Sequence, residues 1–173
     1  MNARRESEPA PMKNRTTVER KSDRELVVTR TFNAPARIVF EAWAKPELFK
    51  WWVPKSMGVS LLSCDMDVRA GGKYRLVFGL NGSKVMEVFG RYIEVTPPSR
   101  LVWTNEEGDE GEAVTTLTFE EKGGQTLLVK HDLYPSKEAL DGELASGAAD
   151  GLPEQLEQLE ELLVTLGGSV GLS

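Results

Sequence analysis

The strongest constraint on the fold of this chain is its last apolar pattern. Leu152, Leu156, Leu159, Leu163 and Leu166 recur at intervals of four, three, four and three residues, which places them on one side of a helix. A helix that is apolar on one side only must bury that stripe against another layer. Upstream, the runs 60–68, 73–78, 85–95, 100–104, 112–120 and 126–133 read as strands, as does the earlier 25–32, where Leu26, Val28 and Phe32 share a face. Gly71-Gly72, Asn81-Gly82, Pro97-Pro98, the acidic loop 106–111 and Lys122-Gly123-Gly124 separate them. Links of hairpin length make the sheet antiparallel. The expected class is therefore α+β, with one antiparallel sheet closing over one long C-terminal helix.

Two shorter helices interrupt the strands. Asn33-Ala34-Pro35 puts a capping residue before a proline, and Ile38, Val39, Ala42 and Trp43 follow at helical spacing. Pro46 ends that helix and opens a second short one, Glu47 to Trp52, which Pro54 breaks. A weaker helical stretch, 136–149, leads to the last helix, which either starts at Pro153 or kinks there and stops at Gly167-Gly168. Residues 1–23 are polar, contain Pro9 and Pro11 and lack periodicity, so they read as a flexible arm. Residues 24–167 form a single domain and 168–173 a flexible tail.

Charge and composition exclude several functions. The net charge is −6, divided into +3 through Arg24 and −9 beyond it, and from Ser136 onward eight acidic residues face one basic. An acidic body repels phosphate backbones, so no nucleic-acid partner is expected. One Cys and one His exclude a disulfide framework and a structural zinc site. Neither a nucleotide loop nor a dinucleotide glycine fingerprint, serine elbow or zinc-protease pair is present, and no cofactor or metal is expected. No apolar run is long enough for a membrane span or a secretory signal, which predicts a cytoplasmic protein with no membrane partner.

The few chemically suggestive residues have plain structural readings. His131 shares parity with Leu127 and Val129, which predicts an inward side chain able to act as a base or polar anchor, or simply a hydrogen-bonded core histidine. Cys64 lies at the parity of Leu62 and Met66, where a thiol is a small core hydrophobe. Asp65 and Asp67 lie two apart on the polar parity, and Asp67 with Arg69 reads as a turn pairing.

Several separated segments in order resemble the START-like (SRPBCC) superfamily, and within it the bacterial family named after the C-terminal domain of the heat-shock-protein-90 ATPase activator. They are Arg30 to Ala36, Phe40 to Trp43, Trp51-Trp52-Val53-Pro54, Asp67 to Tyr74, Pro97 to Thr104, and Val114 to Glu120 followed by Gly123-Gly124-Gln125-Thr126. The resemblance spans about residues 25–166 and implies a helix-grip fold, in which a curved antiparallel sheet wraps the C-terminal helix around a mostly apolar cavity. In that fold Trp43, Trp52, Met66, Phe78, Met86, Trp103, His131, Leu152 and Leu156 are the expected cavity residues. Where relatives commonly open the last helix with Gly-Trp, this chain has Asp150-Gly151-Leu152-Pro153, which implies a larger or reshaped cavity at the helix start. The eukaryotic activator's separate chaperone-binding domain has no counterpart in residues 1–24, so a chaperone partner is not expected.

The leading expectation is binding of an apolar or amphipathic small molecule, with a homodimer allowed. The alternatives are an enzyme of the cyclase or hydrolase kind, as in polyketide cyclase-like relatives, using His131 as base, and a protein-binding module using the sheet surface or the acidic helix face.

Overall fold

Alternation along the strands produces one sheet, in the order β1-β2-β8-β7-β6-β5-β4-β3, with every neighbouring pair antiparallel. The computed structural model describes residues 16–57, 59–108, 111–147 and 152–171. The strands are β1 (Thr17–Arg20), β2 (Glu25–Phe32), β3 (Ser60–Met66), β4 (Lys73–Leu80), β5 (Ser83–Thr96), β6 (Arg100–Asn105), β7 (Ala113–Lys122) and β8 (Gln125–Leu133). Helices α1 (Ala36–Ala44) and α2 (Pro46–Met57) follow β2, and α3 (Lys137–Ala145) and α4 (Leu152–Gly171) follow β8. This is the helix-grip arrangement.

Four local expectations are corrected. Part of the expected arm, Thr17–Arg20, pairs with Leu26–Thr29 as the edge strand β1; residues 1–15 lie outside the described residues. Asn33 does not cap α1: its side-chain oxygen accepts from Gln125, and Glu121 of β7 accepts the Ala36 N–H at 2.9 Å instead. Helix α2 continues through Pro54 to Met57, so losing one backbone donor does not end it there. Helix α4 has Pro153 in its first turn, which settles the choice between a start and a kink, and it runs past the diglycine into the expected tail as far as Gly171.

The core lies between the sheet and α1, α2 and α4. Val28, Phe32, Trp52, Leu101, Leu117 and Leu128 are buried with Leu156, Leu159 and Leu163 of the helix stripe and with Leu162 beside it, while Leu152 and Leu166 pack at its ends. Each fully buried leucine contributes roughly 1.5–3 kcal/mol, so the stripe suffices to hold α4 against the sheet.

One charged side chain is part of this contact. Arg30 alternates inward with Val28 and Phe32 and is buried; its guanidinium donates to Glu157 at 2.9 Å and Glu160 at 3.3 Å and lies over the Phe32 ring, 5.2 Å from its centroid. The acidic side of α4 is therefore not wholly solvent-facing, because two of its carboxylates turn to the sheet.

Candidate functional site

Between strands β3 to β6 and helices α1, α2 and α4 lies a cavity of about 220 Å³. Its wall is set by strand parity. Tyr74, Leu76 and Phe78 of β4 and Met86, Val88 and Tyr92 of β5 point inward, joined by Met66, Leu101 and Trp103, with Trp43, Phe49 and Gln155 from the helices. Met86 is 36% exposed, which places it at the rim.

Five of the expected residues, Trp43, Met66, Phe78, Met86 and Trp103, stand together on this wall. Three others support it from behind. Trp52 is fully buried, donates its indole N–H to the Ala42 carbonyl at 2.9 Å and meets Trp43 edge-on at 4.8 Å between centroids. Leu156 is core, and its neighbour Gln155 reaches the cavity in its place. Leu152 is partly buried between the main core and a small cluster formed by Leu26 and Leu140. The Asp150-Gly151 departure lies outside the described residues.

The inward expectation for His131 is corrected. On β8 the buried set is Thr126, Leu128 and Asp132, so Leu127, Val129 and His131 take the opposite side of the strand. There His131 Nε2 meets Glu25 of β2 at 2.7 Å, and this hydrogen bond holds the Glu25 carboxyl below its ordinary range. His131 lines neither this cavity nor the polar one described below.

A bulge also redirects β3. Register shifts between Leu61 and Ser63, so Leu62 is exposed while Cys64 and Met66 stay inward, and burial pushes the Cys64 thiol up. Asp67 and Arg69 pair at 2.9 Å in an exposed turn, as expected from their spacing. The loop after β6 is tied at both ends by Arg91, which reaches Glu106 at 2.6 Å and Glu112 at 3.2 Å.

A second, polar cavity of about 510 Å³ adjoins the first. Lys130 and Asp132 of β8, Thr115 of β7, Glu107, Tyr134 and Glu143 of α3 all contribute to it. Lys130 Nζ lies 2.5 Å from Asp132, whose other oxygen meets the Thr115 hydroxyl. Trp103 and Asn105 belong to both walls. The Asn105 side chain accepts from the Tyr74 hydroxyl and the Trp103 indole, both at 3.2 Å, and donates to Thr115 at 2.9 Å. Tyr74 also donates to the Thr104 carbonyl at 2.7 Å, and desolvation pushes the Tyr74 and Tyr92 hydroxyls far above their ordinary range. Both are neutral hydrogen-bonding groups at the edge of an apolar wall.

The readable signal for Tyr74 was its parity with Leu76 and Phe78. Lys130, Asp132 and Thr115 carried none, because charged and hydroxyl residues on a strand ordinarily mark the solvent side. Among the described residues no cluster of three or more metal-ligating side chains occurs, and no helix is long and apolar enough to cross a membrane.

The sheet, the gripped helix and the cavity between them define a helix-grip protein of the START-like class. A profile of the family described as "Activator of Hsp90 ATPase homolog 1-like protein" matches residues 33–164, and the chain belongs to that family. No curated protein matches it. Among solved structures, a crystal structure of a Rhodobacter sphaeroides protein is similar at 29% identity with a TM-score of 0.79, covering 87% of this chain and 99% of that one. A Mycobacterium smegmatis protein follows at 25% identity and TM-score 0.73, with coverage of 87% and 99%. A Nitrosomonas europaea protein, at 23% identity, TM-score 0.75 and coverage of 86% and 99%, shares the fold.

Proposed function

We propose that the protein binds an apolar or amphipathic small molecule in the cavity between the sheet and helix α4. The observation that carries this reading is the cavity of about 220 Å³ whose wall is almost entirely aromatic, aliphatic or methionine, with Asn105 and Gln155 as its amide residues. Such walls suit ligands that are mostly apolar and oriented by a few polar groups. Burying a few hundred Å² of ligand supplies several kcal/mol at about 25 cal/mol per Å², before ordering costs. Met66 and Met86 allow the wall to adapt its shape.

Met86→Trp tests the reading with little disturbance of the core, because position 86 is at the rim. The wild type is expected to gain thermal stability with an apolar ligand from a broad panel, and Met86→Trp to lose that gain. A wild type that no member of the panel stabilises would sink the reading.

The cyclase or hydrolase reading assigned the base to His131, whose imidazole is spent on Glu25 across the β2–β8 ladder. His131→Ala is accordingly expected to leave ligand-induced stabilisation unchanged, measured by the same thermal shift. A loss of binding in that variant would restore His131 to the site.

A further inference from the structure

We propose that the polar cavity receives the ammonium group of an amphipathic amine whose apolar body occupies the neighbouring cavity, an inference that rests on reading the apolar cavity as a ligand site. The two chambers share a wall, Trp103 and Asn105, so a single molecule with an apolar body and a short polar arm meets both environments. The shared Asn105 amide is already engaged by Tyr74, Trp103 and Thr115, which makes it a fixed divider. The head group therefore has to find its partners deeper in the polar chamber.

The balance of charge there selects the head. Among the described residues, Glu107, Asp132 and Glu143 line the chamber against one cation, Lys130. Lys130 is held by Asp132 at 2.5 Å, and Asp132 is completed by Thr115, so this pair neither leaves a free cation for an anionic ligand nor asks for another partner. Glu143 differs. Its carboxylate has no hydrogen-bond donor among the described residues, and burial, with Asp132 and Glu107 adding to it, pushes its pKa up against the opposing pull of Lys130. A ligand cation supplies the charge that this carboxylate lacks, and Trp103 and Tyr134 add aromatic rings to the same wall. A ligand carboxylate would instead meet the like charges of Glu107 and Glu143, with the chamber's only described cation already paired to Asp132.

Tryptamine, tryptophol and indoleacetate carry the same ring on ammonium, hydroxyl and carboxylate heads, and calorimetric titration of the full chain at neutral pH compares them directly. Tryptamine is expected to bind about tenfold more tightly than indoleacetate, the scale of one charge-assisted contact. Glu143→Gln and, separately, Glu107→Gln are expected to shrink that ratio, with unchanged urea midpoints showing that the fold is kept, while His131→Ala leaves it intact. Equal affinities for the three heads, a preference for indoleacetate, or a ratio untouched by both glutamine variants overturns the head-group assignment while leaving the apolar cavity as a ligand site. Failure of all three to bind, with a broad apolar panel also silent, overturns both readings.

Discussion

Gly90→Ala is expected to remove about 3 kcal/mol or more of unfolding free energy, a large share of the roughly 5–15 kcal/mol that holds a typical domain together. A Cβ at position 90 would stand 2.0 Å from the Thr104 carbonyl oxygen and 2.9 Å from its hydroxyl oxygen. The first contact is with backbone, which cannot rotate away. Nor is the carbonyl free to shift, since it accepts the Tyr74 hydroxyl at 2.7 Å, and the Thr104 side chain accepts the Arg91 N–H at 3.0 Å. Strand β6 runs close beside β5 at this glycine, and the residues that flank Thr104, Trp103 and Asn105, line both cavities. Urea unfolding followed by circular dichroism measures the effect. A midpoint within experimental error of the wild type would refute the close approach.

The second large effect is expected at Arg30. Arg30→Ala should cost about 3 kcal/mol, the scale for breaking a buried ion pair from one side, because Glu160 is left in a half-buried position without its cation. Arg30→Ala combined with Glu160→Gln should recover part of the loss. The dependence on pH separates this account from simple loss of packing. Glu160 already has its pKa pushed up in the folded protein, by burial first, while Arg30 pulls it down. A carboxyl with a raised folded pKa binds its proton more tightly in the native than in the unfolded state. Its contribution to stability is therefore gained as pH falls and lost as pH rises through the interval between the ordinary carboxylate range and the raised value. Removing Arg30 extends that interval upward. The deficit of Arg30→Ala should accordingly narrow on acidification from neutral toward pH ~5, and should not narrow when Glu160 is also Gln. A deficit constant across that range would assign the whole effect to lost contacts.

Local pattern was enough for the elements because burial of one face dictates periodicity. Leu26, Val28 and Phe32 alternate and are buried on β2, and three of the five stripe leucines, Leu156, Leu159 and Leu163, are buried against the sheet. Tyr74, Leu76 and Phe78 alternate in the same way and reach the cavity wall together. The same reasoning failed wherever a choice depended on a distant partner. The cap of α1 comes from Glu121, 85 positions away in the chain, and nothing near Asn33 announces it. Edge strand β1 is exposed throughout and has Val18 as its one apolar residue, too little for a periodicity, so its signal is the ladder it forms with β2.

The sequence by itself determined the α+β class and the order of the elements from β2 onward, because these follow from short-range spacing of apolar residues, while the resemblance to its family pointed to five residues of the apolar wall. Only the tertiary structure decided which side of β8 is inside. That strand carries apolar residues at both parities, and pairing with β2 and β7 turns Leu128 and Asp132 inward and His131 out toward Glu25. Only the tertiary structure, likewise, gathers Asn105, Thr115, Lys130, Asp132 and Glu143 from three strands and a helix into one polar chamber. Each of these residues alone looks like a solvated surface position. Their common burial is a property of how the strands are laid side by side, and no local periodicity encodes it.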